Sequence, residues 1–97
     1  MSKNHYEHRG MVVPSETIEM IHRYVYDGTP PGGFLLAVMS NNLHDACARA
    51  DDDNARNLPA IVAYLYNEVP SGCWGSAQRV ADWIAARAAE RAAKVSA

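Results

Sequence analysis

The stretch Gly28-Thr29-Pro30-Pro31-Gly32-Gly33-Phe34-Leu35 most constrains how this chain folds. Two helical patterns meet there, and neither can run through it. Gly28 suits the end of a helix, and the two prolines stiffen the turn with φ already near the helical value. Gly32 and Gly33 leave bare backbone at the start of the next helix. Unpaired N–H groups and the positive end of a helix dipole make such a start congenial to an anion. A second start of the same kind lies at Ser71-Gly72-Cys73-Trp74-Gly75-Ser76.

Apolar spacing on either side is helical. Ile18, Ile21, Tyr24 and Val25 recur at three and four residues, so 16–27 is expected as an amphipathic helix with Ser15 or Thr17 as its N-cap. A second helix is expected from Gly33 to about Arg56, along the stripe Leu35, Val38, Met39, Asn42, Ala46, Arg49 and Asp53. Asp45/Arg49 and Asp52/Arg56 are i,i+4 pairs that support it. The polar half of the stripe reads either as a solvated face or as residues paired between helices or subunits. Asn57-Leu58-Pro59 signals a restart, although Pro59 allows either two helices or one long kinked helix. Leu58, Ile61, Val62, Leu65, Tyr66 and Val69 form the next stripe, and Pro70 ends it. Ser76 can cap a last helix with Val80, Trp83, Ile84 and Ala88 on its apolar face. No stretch shows strand alternation.

The expectation is therefore an all-α fold. It is a small bundle of three to four helices, kinked or divided at Pro59. Its domain spans 14–88, between a flexible N-terminal arm (1–13) and a fraying Ala-rich tail (89–97). A packed part of about 75 residues buries only about 60% of its unfolded surface. Assembly into a symmetric homo-oligomer is the usual remedy.

Charge and composition narrow the functional classes. A net charge of −2 gives no general drive towards nucleic acid, and no basic helix suggests DNA binding. No run approaches the roughly 18 apolar residues of a membrane helix. The N-terminal stretch lacks the hydrophobic core of a signal peptide. Cys47 and Cys73 have no metal or redox spacing and read as two buried thiols. His5-x-x-His8 could grip a metal weakly but reads better as tail, and His22 and His44 stand alone. Asp51-Asp52-Asp53 lacks the glycine and distal Glu of a calcium loop. With no nucleophile elbow or phosphate-binding lysine loop, the expectation is a protein that is not an enzyme, with no cofactor and no metal.

A binding site is easier to assemble. Tyr24 and Tyr26 precede the Gly/Pro turn; Ser40, Asn41 and Asn42 follow it. Tyrosine rings stack on flat ligands, and Ser and Asn bond base edges and phosphates. Arg79, one turn into the last helix, could add charge beside the amides of Gly75, Ser76 and Ala77. The plainer readings are tyrosines in the core, asparagines bonding helices together, and Trp74 as a hydrophobic staple.

The run from Tyr24-Val25-Tyr26-Asp27-Gly28 through the Gly/Pro turn to Val38-Met39-Ser40-Asn41-Asn42-Leu43 carries a resemblance. Ala48-Arg49-Ala50-Asp51, Tyr64-Leu65-Tyr66 and Trp74-Gly75-Ser76 follow in the same order, with Trp83 after them. Over residues 20 to about 84 the chain resembles a family of small tailed-phage proteins. That family includes the anti-CBASS proteins that sequester cyclic oligonucleotide signals. The resemblance implies a helical homo-hexamer that holds cyclic dinucleotides between protomers, and in some members cyclic trinucleotides in separate pockets, without chemistry on the ligand. It implies action in the cytoplasm of the infected bacterial host, no membrane partner and no DNA partner. The residues it points to are Tyr24 for stacking, Gly33, Phe34, Ser40, Asn41 and Asn42 around the first turn, and Gly75, Ser76 and Arg79 around the second. No Lys or Arg lies between Arg23 and Arg49. Phosphate at the first turn would then fall to backbone, Ser40, Asn41, His44 or a neighbouring subunit. The alternative expectation is a helical protein-binding inhibitor of a host defence enzyme, with Asp51–Asp53 imitating phosphate charge.

Overall fold

A computed structural model describes residues 5–96. Among them a two-stranded hairpin (β1, Glu7–His8; β2, Met11–Val12) precedes five α-helices: α1 Ser15–Asp27, α2 Gly33–Met39, α3 Leu43–Arg49, α4 Asp52–Glu68 and α5 Ala77–Ser96. A 3-10 turn at Ser71–Cys73 joins α4 to α5. The fold is mostly helical, as expected, but with more helices and with a hairpin. None of the described helices is long and apolar enough to cross a membrane.

The hairpin is too short for periodicity to reveal, because two residues per strand cannot display alternation. Its turn residues Arg9 and Gly10 both have positive φ, 52° and 80°, as a tight hairpin turn requires. Glu7 pairs with Val12 and His8 with Met11. The strands lie against α4. Val13 is buried, and the Tyr6 ring meets Tyr64 edge-on at a centroid distance of 5.2 Å. Residues 5–13, expected as an arm outside the packed domain, thus supply side chains to its core.

In α1 the stripe Ile18, Ile21, Tyr24 and Val25 is buried throughout. The cap differs from the expectation. Pro14 occupies the N-cap position with no side-chain bond; Ser15 is already helical and Thr17 faces the core. Gly28 closes α1 in the left-handed region (φ 71°), its N–H bonded to the Tyr24 carbonyl. A Cβ there would lie 2.4 Å from Cβ of Arg87, so the turn needs glycine for space as well as for conformation.

The long helix expected from Gly33 breaks twice. Asn41 turns left-handed (φ 61°), and the Asn42 side chain accepts the Asp45 N–H to start α3. Ala50 is extended, and Asp51 accepts the Asn54 N–H at 2.8 Å to start α4. Of the polar residues of the supposed stripe, Asn42 is a cap, Arg49 a last-turn base and Asp53 a first-turn acid, positions the helix ends favour. No restart occurs at Asn57. Its amide instead donates to the Asp53 carbonyl and accepts the Val12 N–H, tying α4 to the hairpin. Pro59 lies inside a continuous α4. Arg49 pairs with Asp45 at 3.0 Å as expected, whereas Arg56 meets Asp53 rather than Asp52.

Tyr24, Leu35, Met39, Ile61, Tyr64, Leu65 and Cys73 form the centre of the core. Trp83 donates its indole N–H to the carbonyls of Tyr24 and Val25, which anchors α5 across the end of α1. Arg87 covers the Trp83 ring at 4.4 Å. Cys73 is buried but Cys47 is exposed, correcting the expectation of two buried thiols; α3 packs through Ala46 and leaves Cys47 on its open side.

Candidate functional site

Two open grooves receive most of the residues singled out in the sequence. The first, about 310 Å³, lies beside the Gly/Pro turn and is lined by Gly33, Ser40 and Asn42 together with Asp45 and Arg49. A Cβ on Gly33 would stand 2.9 Å from Nη1 of Arg49. The guanidinium therefore rests on the bare backbone of the turn. Sequence distance hid this cation: the breaks at Asn41 and Asn42 fold α3 back onto α2 and bring Arg49 to Gly33. Its Nε is engaged by the Asp45 carboxylate.

The second groove, about 500 Å³, is walled by Tyr66 at one end of α4, the turn residues Ser71, Trp74 and Gly75, and Arg79 in the first turn of α5. Arg79 is positioned by the helix start. The Ser76 hydroxyl accepts the Arg79 N–H at 3.1 Å, as expected of a cap. Arg79 Nη1 then reaches the carbonyls of Ser71 and Trp74, both at 3.4 Å. These are long contacts, and a guanidinium has further donors to offer. The backbone amide of Gly75 is not one of the groups open to a ligand. It donates to the Met39 carbonyl at 2.7 Å and so ties this turn to the end of α2. Gly75 itself has φ 110°, and a Cβ there would press on Arg79 Nη1 at 3.2 Å. The Trp74 indole Nε1 is buried and meets no acceptor among the described residues.

The remaining site residues are placed elsewhere. Tyr24 is wholly buried, and its hydroxyl donates to the Cys73 carbonyl at 2.6 Å. The stacking role expected of it is not available to it in this fold. Phe34 packs half-buried against the core and lines neither groove. Asn41 belongs to a small apolar groove of about 70 Å³ with Val38, Leu43, Leu58 and Val62. Conversely, Tyr66 belongs by spacing to the apolar stripe of its helix yet is 78% exposed. At 3.6 residues per turn it lies about 200° round α4 from buried Tyr64, a signal that spacing from Leu58 and Val62 obscured.

Among the described residues, no group of three or more His, Cys, Asp or Glu is arranged to hold a metal. The fold and its grooves thus define a small, mostly helical protein with clefts that carry Arg49 and Arg79 beside its two glycine-bearing turns. Comparison with known protein families, curated proteins and solved structures found no match.

Proposed function

We propose that the protein binds and sequesters cyclic oligonucleotide second messengers, cyclic dinucleotides and also cyclic trinucleotides, without cleaving them. In that role it would be a phage anti-defence protein that blocks CBASS immunity from the cytoplasm of the infected host, working as a homo-hexamer. One observation carries the reading: aromatic surface from Tyr66 and Trp74 and the guanidinium of Arg79 converge on one open groove. Flat bases and phosphodiesters need those two kinds of group, one for stacking and one for charge. The Arg49 groove offers a second cation beside Gly33 and Ser40, where the sequence lacks a nearby lysine.

Native mass spectrometry with and without cyclic di- and trinucleotides reports ligand number and subunit number together. Calorimetry then gives affinity. Binding is expected at micromolar concentration or below, with Arg79→Ala and Arg49→Ala weakening different ligands or different stoichiometric classes if two sites exist. The absence of heat and of mass shift across the panel at tens of micromolar would sink the proposal.

A second reading rests on a separate observation. Leu43 and Val62, 70% and 42% exposed, flank the small apolar groove between α3 and α4. A helical inhibitor of a host defence enzyme would use such a surface. One stoichiometric host protein retained in a pull-down, together with no nucleotide binding, would favour it.

A further inference from the structure

Resting on the reading of the α4–α5 groove as a cyclic-oligonucleotide site, we infer that Tyr66 is its base-stacking residue and sets its preference for a base over a bare phosphate. The tyrosines sort themselves by environment. Tyr24 and Tyr64 are wholly buried. Tyr6 is half-buried, its ring set edge-on to Tyr64 and its hydroxyl accepting from Asn67. Tyr26 is exposed, but its ring stands edge-on to His22, and it lines neither the Arg49 groove nor the Arg79 groove. Tyr66 is the most exposed large apolar side chain among those described, and it faces a cavity.

What shares that cavity gives the chemistry. Trp74 supplies a second, half-buried aromatic surface, and Arg79 supplies positive charge. Among the described residues Arg79 Nη1 has two long contacts to uncharged carbonyls, which a phosphodiester oxygen can replace with shorter, charge-assisted bonds. A groove with arginine alone would take inorganic phosphate as readily as a nucleotide. An exposed ring beside the arginine adds affinity only for ligands that carry a flat base. Stacking tolerates any base, so the groove is expected to prefer base-bearing ligands without strict sequence reading.

The test compares wild type with Tyr66→Ala, Tyr66→Phe and Tyr26→Ala by calorimetry, using cyclic di-AMP, cyclic tri-AMP and inorganic phosphate as probes. Thermal melts check the fold. Quenching of Trp74 fluorescence, identified by its loss in Trp74→Phe, reports that a ligand enters this groove. Tyr66→Ala is expected to weaken the nucleotide that quenches Trp74 by roughly 5- to 150-fold, the range set by the loss of one base–aromatic stack. Tyr66→Phe should stay within about twofold of wild type because it keeps the ring. Tyr26→Ala should bind like wild type. If wild type binds and quenches while Tyr66→Ala matches it, the stacking role is overturned and the sequestration reading survives. Equal weakening by Tyr26→Ala, or equal affinity for phosphate and nucleotide, overturns it as well. If wild type binds no nucleotide, both fall together.

Discussion

Tyr24 shows how one side chain can look like a ligand contact and serve as a structural tie. In sequence it stands before a Gly/Pro turn, where an aromatic ring could flank a pocket. In the fold its hydroxyl crosses from α1 to the 3-10 turn and gives the Cys73 carbonyl its hydrogen bond at 2.6 Å. Tyr24→Phe keeps the ring but leaves that buried carbonyl without its donor. A loss of about 1–3 kcal/mol of stability is expected, the penalty for desolvating an unpaired polar group. Urea denaturation measures it directly. Nucleotide affinity should not change once the variant is fully folded; a clear loss of affinity at unchanged stability would mean that the ring reaches a ligand after all.

At the scale of elements, α4 carries the most informative oddity. Pro59 is the eighth residue of a helix that starts at Asp52, well past the first turn where proline is tolerated. It has no N–H for the Ala55 carbonyl, and its ring crowds that turn. Its side chain is exposed, so removing it sacrifices no packing. Pro59→Ala should raise stability by about 1–2 kcal/mol. The interior helix cost of proline is about 3 kcal/mol relative to alanine, less what a stiffer unfolded chain gives back. An unchanged or lower urea midpoint would show that Pro59 is needed for the course of α4. The same helix marks the limit of reading from sequence. The apolar spacing of α1, Gly28 as its terminus and the Ser76 cap were legible because each depends on residues within one or two turns. The division of the middle of the chain was not. Asn42 looks like an ordinary member of a helical stripe, and Asp51 like an interior residue of the same helix, until Asn41 is seen left-handed and Ala50 extended. The site followed the same rule. Arg79 was legible from its place after Ser76, whereas Arg49 meets Gly33 only through the α2–α3 packing, and Tyr66 is exposed only because α4 turns that face outward.

For the whole molecule, the core holds three acidic hydrogens, those of Tyr24 and Cys73 side by side and that of Tyr64 against His22. Tyr24 of α1, Tyr64 of α4 and Cys73 of the 3-10 turn are all fully buried in the core. Burial pushes the Cys73 thiol up from 9.0 to about 11. Burial likewise raises Tyr24, with Cys73 adding to it, and Tyr64, with Glu68 and Tyr26 adding to it, both from 10.0. Each shift favours the protonated form in the native state. In the unfolded chain the thiol releases its proton near pH 9 and the phenols near pH 10, while the native state still holds theirs. Above those values the unfolded state binds fewer protons, so stability falls as pH rises. The contribution is complete below about pH 9 and is lost upward through about pH 11 for Cys73, with the tyrosines extending the loss. The gap for the thiol alone corresponds to a loss on the order of 2 kcal/mol by pH 11. Urea midpoints measured from about pH 8 to about pH 11 should decline accordingly, and in Cys73→Ala the decline should begin about one unit later, where the tyrosines start. Because the Tyr24–Cys73 bond and the Gly75–Met39 bond fasten the turn that carries Arg79, the second groove should be lost in the same cooperative step. Trp74 fluorescence and far-ultraviolet circular dichroism should then report one midpoint at each pH. Two separate midpoints would mean that the groove opens before the core gives way, and a flat profile to pH 11 would mean that the buried groups titrate alike in the native and unfolded states.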